Sequence, residues 1–171
     1  AVMAGARQQQ AEVTRQRVLA TARRLFGEQG YFSTGTNEIV EAAGVGTRGA
    51  LYHYFADKEA LFRAVFEDVE TDLGAKAGVA VTGETWLERL GQALHAFLDA
   101  SLDPEVRRII LIDGPAVLGW DGWRAIEAQH GLGAIEYMLN EGARDGSVRV
   151  VDAGAMAHLL LSVVDEAALF I

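Results

Sequence analysis

The sequence predicts an all-α protein, and three observations carry that prediction. Only two prolines, Pro104 and Pro115, interrupt 171 residues, so long stretches are free to form helices. Apolar residues recur at steps of three and four along most of the chain, and no alternating run of useful length marks a strand. Half of the residues are apolar, enough for one or two domains with a sizeable core.

Taken in order, Ala1 to Glu12 is polar and reads as a flexible N-terminal arm (1–12), whose Arg7 either reaches a groove or stays solvated. From Val13 onward Val18, Ala22, Leu25 and Phe26 form the stripe of a first helix that ends between Gly27 and Gly30. Arg15, Arg17, Arg23 and Arg24 lie on its polar side. Thr34 to Phe55, TGTNEIVEAAGVGTRGALYHYF, then reads as two short helices broken at Gly44-Val45-Gly46, the form of a helix-turn-helix. Ile39, Val40 and Ala43 make the inner face of the first, and Gly44 suits a left-handed stop. Thr47 is placed to cap the second, and Leu51 and Phe55 share one side of it. Arg48, Gly49, Tyr52 and His53 are left on the other side, with little bulk at Gly49 and Ala50 to keep the helix from a base edge. Arginine reads guanine in two-pronged fashion, which makes Arg48 the first choice for a base contact. After Asp57, a candidate cap, Leu61, Phe62, Val65, Phe66 and Val69 define a fourth helix that closes a head over residues 13–72.

Charge divides along the same line. Residues 1–60 hold seven Lys/Arg against six Asp/Glu, residues 61–171 eight against eighteen, which accounts for the net charge of -9. A protein that coats nucleic acid without regard to sequence is basic throughout; this pattern instead suits a site-specific binder with a small basic face.

The run from Val18 to Phe66, with Ala22, Leu25-Phe26, Gly30-Tyr31, Thr34, Ile39, Ala43-Gly44-Val45, Gly49 through Phe55, Lys58 and Leu61-Phe62, resembles the DNA-binding domain of the TetR family of transcription regulators. The resemblance implies a three-helix head, a connecting fourth helix and a helical-bundle domain for ligand binding and dimerisation. It also implies a homodimeric repressor released from a palindromic double-stranded operator by a small-molecule effector. The recognition helix corresponds to Thr47 through Tyr54; Tyr52, Tyr54 and Lys58 match residues that hold phosphates, and Thr34 matches one that caps the second helix. Gly35 departs from the usual serine or threonine, and Thr36 from the usual inward aliphatic residue.

Beyond the head, Leu73 to Gly83 is small and weakly patterned and reads as a loop or frayed helix end, with the ligand-binding and dimerisation domain at 83–171. Thr85-x-x-Glu88 is a capping box ahead of Leu87, Leu90, Leu94, Phe97 and Leu98. Asp103-Pro104 starts another helix, which Gly114-Pro115 should interrupt or kink. RRIILIDGPAVLGWDGWRAIEAQHGLGAIEYML resembles, more weakly than the head, the C-terminal domain of a subset of TetR regulators. A long helix, capped by Asp121 and running to about Arg144, would have one face of Trp123, Ile126, His130, Ala134 and Tyr137 or Met138. Its other face would hold Leu132, Ile135 and Leu139. Phe97, Trp120, Trp123, His130 and Tyr137 are the candidate pocket residues, the tryptophans being either pocket lining or core.

The last helix, from about Asp152, carries an apolar stripe too wide for one-sided burial. Met156, Leu160, Val163, Val164 and Ala167 are its candidate dimer contacts, and a further helix beyond Ile171 is expected. Asp165 and Glu166 inside this most apolar stretch argue against a membrane span, and with no cysteine and no leader pattern a cytoplasmic protein is expected. No nucleophile elbow, phosphate loop or zinc-binding histidine pair is present, and the four histidines are scattered. No catalytic residue, metal or cofactor is therefore expected. A helical ligand-binding protein that no longer binds DNA, and a helical-bundle enzyme, stand as the alternatives.

Overall fold

The computed structural model describes residues 2–170; Ala1, where the expected arm begins, and Ile171, where the last helix was expected to end, lie outside the described residues. Every element among the described residues is a helix, and the chain divides into two units, Ala1–Phe66 and Glu67–Ile171.

In the first unit, α1 spans Val2–Gln29, α2 Thr36–Ala43 and α3 Arg48–Tyr54, and α4, Lys58–Ala80, begins here and continues into the second unit. The expected flexible arm is instead the opening of α1: nothing in QQQAEVTRQ breaks a helix, and Gln16 and Thr14 bond back one turn to Glu12 and to the Gln10 carbonyl. Val18, Ala22, Phe26, Ile39, Leu61, Phe62, Val65 and Phe66 are fully buried. Phe26, Tyr31 and Phe62 meet pairwise at ring separations of 5.2–5.6 Å, close to edge-on for the Phe62 pairs, the arrangement aromatic quadrupoles favour. Gly44, at φ 65°, ends α2 in the left-handed region and directs its N–H back to Val40 and Glu41, which sets the angle between α2 and α3.

The second unit holds the rest of α4, then α5 (Trp86–Ala100), α6 (Pro104–Val106), a π-helical turn (Arg107–Asp113), α7 (Gly114–Glu127), α8 (Gly131–Asp145) and α9 (Ala153–Phe170). Three sequence expectations change. Leu73 to Ala80 is helix, not loop; its small side chains weaken the pattern because they face a cavity. Gly114-Pro115 does not break the chain, since both Asp113 and Gly114 keep right-handed helical angles. The wide π turn before it takes the earlier carbonyls out of the way of the proline ring. The break falls at Gly119 (φ 69°, ψ 166°), two residues before the expected cap Asp121. The long helix expected from Asp121 is also two helices, parted at His130 (φ -121°, ψ -110°). Gly133 explains the sharpness of that turn: a Cβ there would stand 2.5 Å from the Ala128 carbonyl oxygen.

The Thr85/Glu88 capping box and the Asp103 cap with Pro104 form as their spacing predicts, and Gly146 ends α8 in the left-handed region. Trp86, Leu90, Leu132, Ile135, Leu139, Ala157 and Leu161 are the core where α5, α8 and α9 pack. The Trp86 indole donates to the Met138 carbonyl at 2.7 Å, and its ring occupies the space a side chain at Gly142 would need. By length and composition α9 could cross a bilayer, yet Ala157, Leu161, Val164, Asp165 and Ala168 are buried against its own unit.

Candidate nucleic-acid interface and ligand cavity

The first unit carries its chemistry on the outside. Thr47 Oγ1 accepts from the Ala50 N–H at 3.1 Å, so α3 starts with one of its open donors satisfied. Leu51 is buried and Phe55 holds the far end, which turns Arg48, Gly49, Tyr52 and His53 outward as one exposed face with Thr47 at its head. Ala50 and Tyr54 are half-buried beside it, Tyr54 against the His53 ring at 5.2 Å. A Cβ at Gly49 would meet nothing nearer than Thr47 Oγ1 at 3.7 Å, so the fold itself does not require glycine there.

Tyr52 stands near residues of both helices. Arg48 and then Thr36, close to its phenol, hold it below the usual tyrosine range. Thr36, where an aliphatic residue is usual, thus puts a hydroxyl near the outer face of α3.

One residue behaves differently from what the family resemblance implied, and another has a contact that the resemblance did not supply. Thr34 does not cap α2, whose N-cap is Gly35 without a side-chain bond. It is buried, donating to the Gly30 carbonyl at 2.7 Å, and so fastens the end of α1 to the loop before α2. Lys58 is half-buried beside Tyr31: Nζ donates to the Tyr31 carbonyl at 2.6 Å and lies 4.0 Å from the Tyr31 ring centre.

The second unit carries its chemistry inside. Within it a cavity of about 710 Å³ opens, in the size range of small-molecule sites. Leu73, Gly74, Ala77 and Gly78 of α4 form one wall and Ala93, Leu94, Ala96 and Phe97 of α5 another. His130, Ala134, Tyr137 and Met138 come from the α7–α8 turn and α8, Leu161 and Val164 from α9. Of the pocket residues expected from sequence, Phe97, His130 and Tyr137 line this space. Trp120 and Trp123 do not: the left-handed Gly119 sends Trp120 to the surface, and Trp123 is buried elsewhere. Their rings flank the Arg124 guanidinium at 4.6 and 4.4 Å.

Sequence reasoning missed the polar end of this cavity. Glu70 and Glu127 line it and are only 4% and 3% exposed. Their carboxyls stand beside each other, and burial pushes both above the carboxylate range, Glu127 furthest because the neighbouring Glu70 charge adds repulsion. Asp165, raised to about 7 by burial and then by Glu127, pairs with Arg124 at 3.7 Å. Glu70 Oε1 has no hydrogen-bond partner among the described residues. A signal existed: Glu70 lies between Phe66 and Leu73, and Asp165 between Leu161 and Ala168, each an acid set into an apolar stripe.

The expected dimer contacts split. Met156, Val163 and Ala167 face outward, Val163 at 67% exposure, together with Leu159 and Phe170. Val164 turns inward to the cavity and Leu160 packs partly on the core, because a stripe that wide on a 3.6-residue helix must reach both sides.

Two family models match the chain: one for "bacterial regulatory proteins, tetR family" over residues 18–65, and one for a "tetracyclin repressor-like, C-terminal domain" over residues 87–171. The chain is 38% identical over 112 residues to the HTH-type transcriptional regulator AcrR of Shigella flexneri. That match spans 64% of this chain and 51% of that regulator's length. A crystal structure of a TetR-family transcriptional regulator from Pectobacterium atrosepticum is similar at 34% identity and a TM-score of 0.75, over 95% of this chain and 83% of that one. RolR in complex with resorcinol is similar at 25% identity and a TM-score of 0.75, over 94% of this chain and 81% of that one.

Proposed function

The chain belongs to the TetR family of bacterial regulatory proteins, and we propose that it is a cytoplasmic homodimer that represses transcription by binding a palindromic operator and leaves it when a small-molecule effector enters the second unit. What carries the reading is the outward face of α3. Thr47 caps it, Leu51 and Phe55 hold it from behind, and Arg48, Gly49, Tyr52 and His53 are presented together on a helix short and slim enough for a major groove. Arg48 contacts a guanine edge. Tyr52, Tyr54 and the Thr47 hydroxyl meet backbone phosphates, and Lys58, whose ammonium has three donors, joins them from beside Tyr31. The small basic excess of residues 1–60, against the acidic remainder, supports sequence reading over general coating of DNA.

The exposed apolar stripe of α9, Met156, Leu159, Val163, Ala167 and Phe170, is the dimer contact, and a second copy removes it from water. In that dimer the two α3 helices stand about 34–36 Å apart in successive major grooves. Release follows from α4. Its second half forms a cavity wall and its first half closes the head, so a ligand that favours another setting of α4 lowers DNA affinity by its own difference in affinity for the two settings. RolR, seen with resorcinol, supports a small effector of this kind.

Selection of bound duplexes from a random pool at moderate salt is the test. A palindromic consensus with half-sites one helical turn apart is the expected result. Retention without any consensus would defeat the proposal that α3 reads bases.

A further inference from the structure

The wall of the second unit's cavity is apolar almost throughout, with Leu94, Phe97 and Met138 among its larger side chains, yet one end holds two buried carboxyls. Leaving a buried acceptor without a donor costs stability, and apolar residues of similar volume would avoid that cost. Glu70 Oε1 is such an acceptor, on a side chain that lines the cavity. The missing partner is therefore a donor that arrives from the cavity.

We propose that the cavity takes an organic cation, an amine with an aromatic or aliphatic body, whose N–H groups donate to Glu70 and Glu127 while its body lies against Leu94, Phe97 and Met138. The proposal rests on the second unit being the effector domain and names the class of effector. Two carboxyls buried side by side, each raised by that burial, share at least one proton, and an incoming ammonium displaces it to solvent. Arg124 does not fill the role: its guanidinium lies between Trp120 and Trp123 and faces Asp165, its NH2 nitrogen reaching Ser162 Oγ at 3.4 Å. The titratable groups around the pair are thus Asp165 from α9, Arg124 from α7, and His130 and Tyr137 on the cavity wall, with no lysine lining that wall. A bare divalent ion fits poorly, since no group of three His, Cys, Asp or Glu among the described residues converges to hold one. A carboxylate ligand would face repulsion from Glu70 and Glu127.

The test is calorimetry of the intact chain at neutral pH with three ligands on one ring system, 1-naphthylmethylamine, 1-naphthylmethanol and 1-naphthoate, each in buffers of different ionisation enthalpy. The amine should bind about tenfold to a hundredfold more tightly than the alcohol, the carboxylate most weakly, and amine binding should release about one proton. Glu70→Gln and Glu127→Gln each keep the side chain's shape, and should remove most of the amine's advantage over the alcohol. Equal affinity for amine and alcohol would overturn the proposal. So would a preference for the carboxylate, an amine preference that survives both substitutions, or no heat from any of the three ligands. The wild-type charge series needs no variant to fold. Because no DNA enters the measurement, its failure leaves the operator reading intact, and failure to find an operator leaves the binding result intact.

Discussion

The two units use their interiors in opposite ways. In the first, Phe26, Phe62 and Phe66 fill the centre completely and every group proposed to meet DNA lies on or near the surface. In the second, α4 and α5 turn glycine and alanine inward around about 710 Å³, and the chemically distinctive groups, Glu70 and Glu127, lie inside. A rigid core suits a face that must match another surface. A cavity with strained polar groups suits a unit that gains stability when something fills it.

Removing a core ring should separate the two most sharply. Phe62→Ala is expected to cost about 3–5 kcal/mol in chemical denaturation, since the first unit has no room to collapse around the hole. A loss under about 1 kcal/mol would mean that the packing there is no tighter than in the second unit. Overfilling the second unit's own core is the complement. Gly142→Ala puts a Cβ 2.4 Å from Trp86 Nε1 and should destabilise by about 1–3 kcal/mol, even though the cavity elsewhere in that unit is open.

At the surface of the first unit the effect should move from stability to recognition. Arg48→Ala is expected to leave the melting temperature unchanged and to cost about 1–3 kcal/mol of discrimination at one base position. Uniform weakening across all sequences would assign Arg48 to phosphate instead.

The buried acids make a pH prediction that has no counterpart in the first unit's core. Folded-state pKa values above the unfolded ones mean that the native chain binds more protons, so stability falls as pH rises through the gap. For Asp165 that window runs from 3.8 to about 7, and Glu70 and Glu127 add to the fall in the same direction. Glu127→Gln should flatten the fall, as measured by urea midpoints across that range; an unchanged slope would remove Glu127 as a cause. The smallest effect is expected at Gly49→Ala. The fold has space for the methyl and should gain up to about 1 kcal/mol, while DNA affinity drops because the helix stands further from the bases.

How far each unit could be read from sequence follows the same contrast. The helix-turn-helix was legible because its determinants are close in the chain: Gly44 at a left-handed stop, Thr47 three residues before the N–H it caps, Leu51 and Phe55 one turn apart. Thr34 was misjudged as a cap because its partner depends on how the loop at Gly30 and Tyr31 folds back, which spacing does not reveal, and the Lys58 contact with Tyr31 was unseen for the same reason. In the second unit the caps Thr85 and Asp103 were legible for the same local reason. Gly114-Pro115 was expected to interrupt or kink a helix; the chain passes there from a π turn into an α-helix without leaving helical angles, and Gly119 makes the sharper break.

By itself, then, the sequence determined that the chain is helical, where the capped helices α3, α5 and α6 begin, and that residues 34–55 form a helix-turn-helix, since all of these rest on neighbours within a turn or two. Tertiary structure alone decided that Leu73–Ala80 is a cavity wall, that Trp120 and Trp123 embrace Arg124, and that Glu70, Glu127 and Asp165 meet. Those acids are separated by some forty to sixty residues at each step and lie on three different helices, α4, α7 and α9. No local periodicity encodes which stripes will face one another. Only the packing of helix on helix brings such groups out of water together, and it is that shared burial which gives them their chemistry.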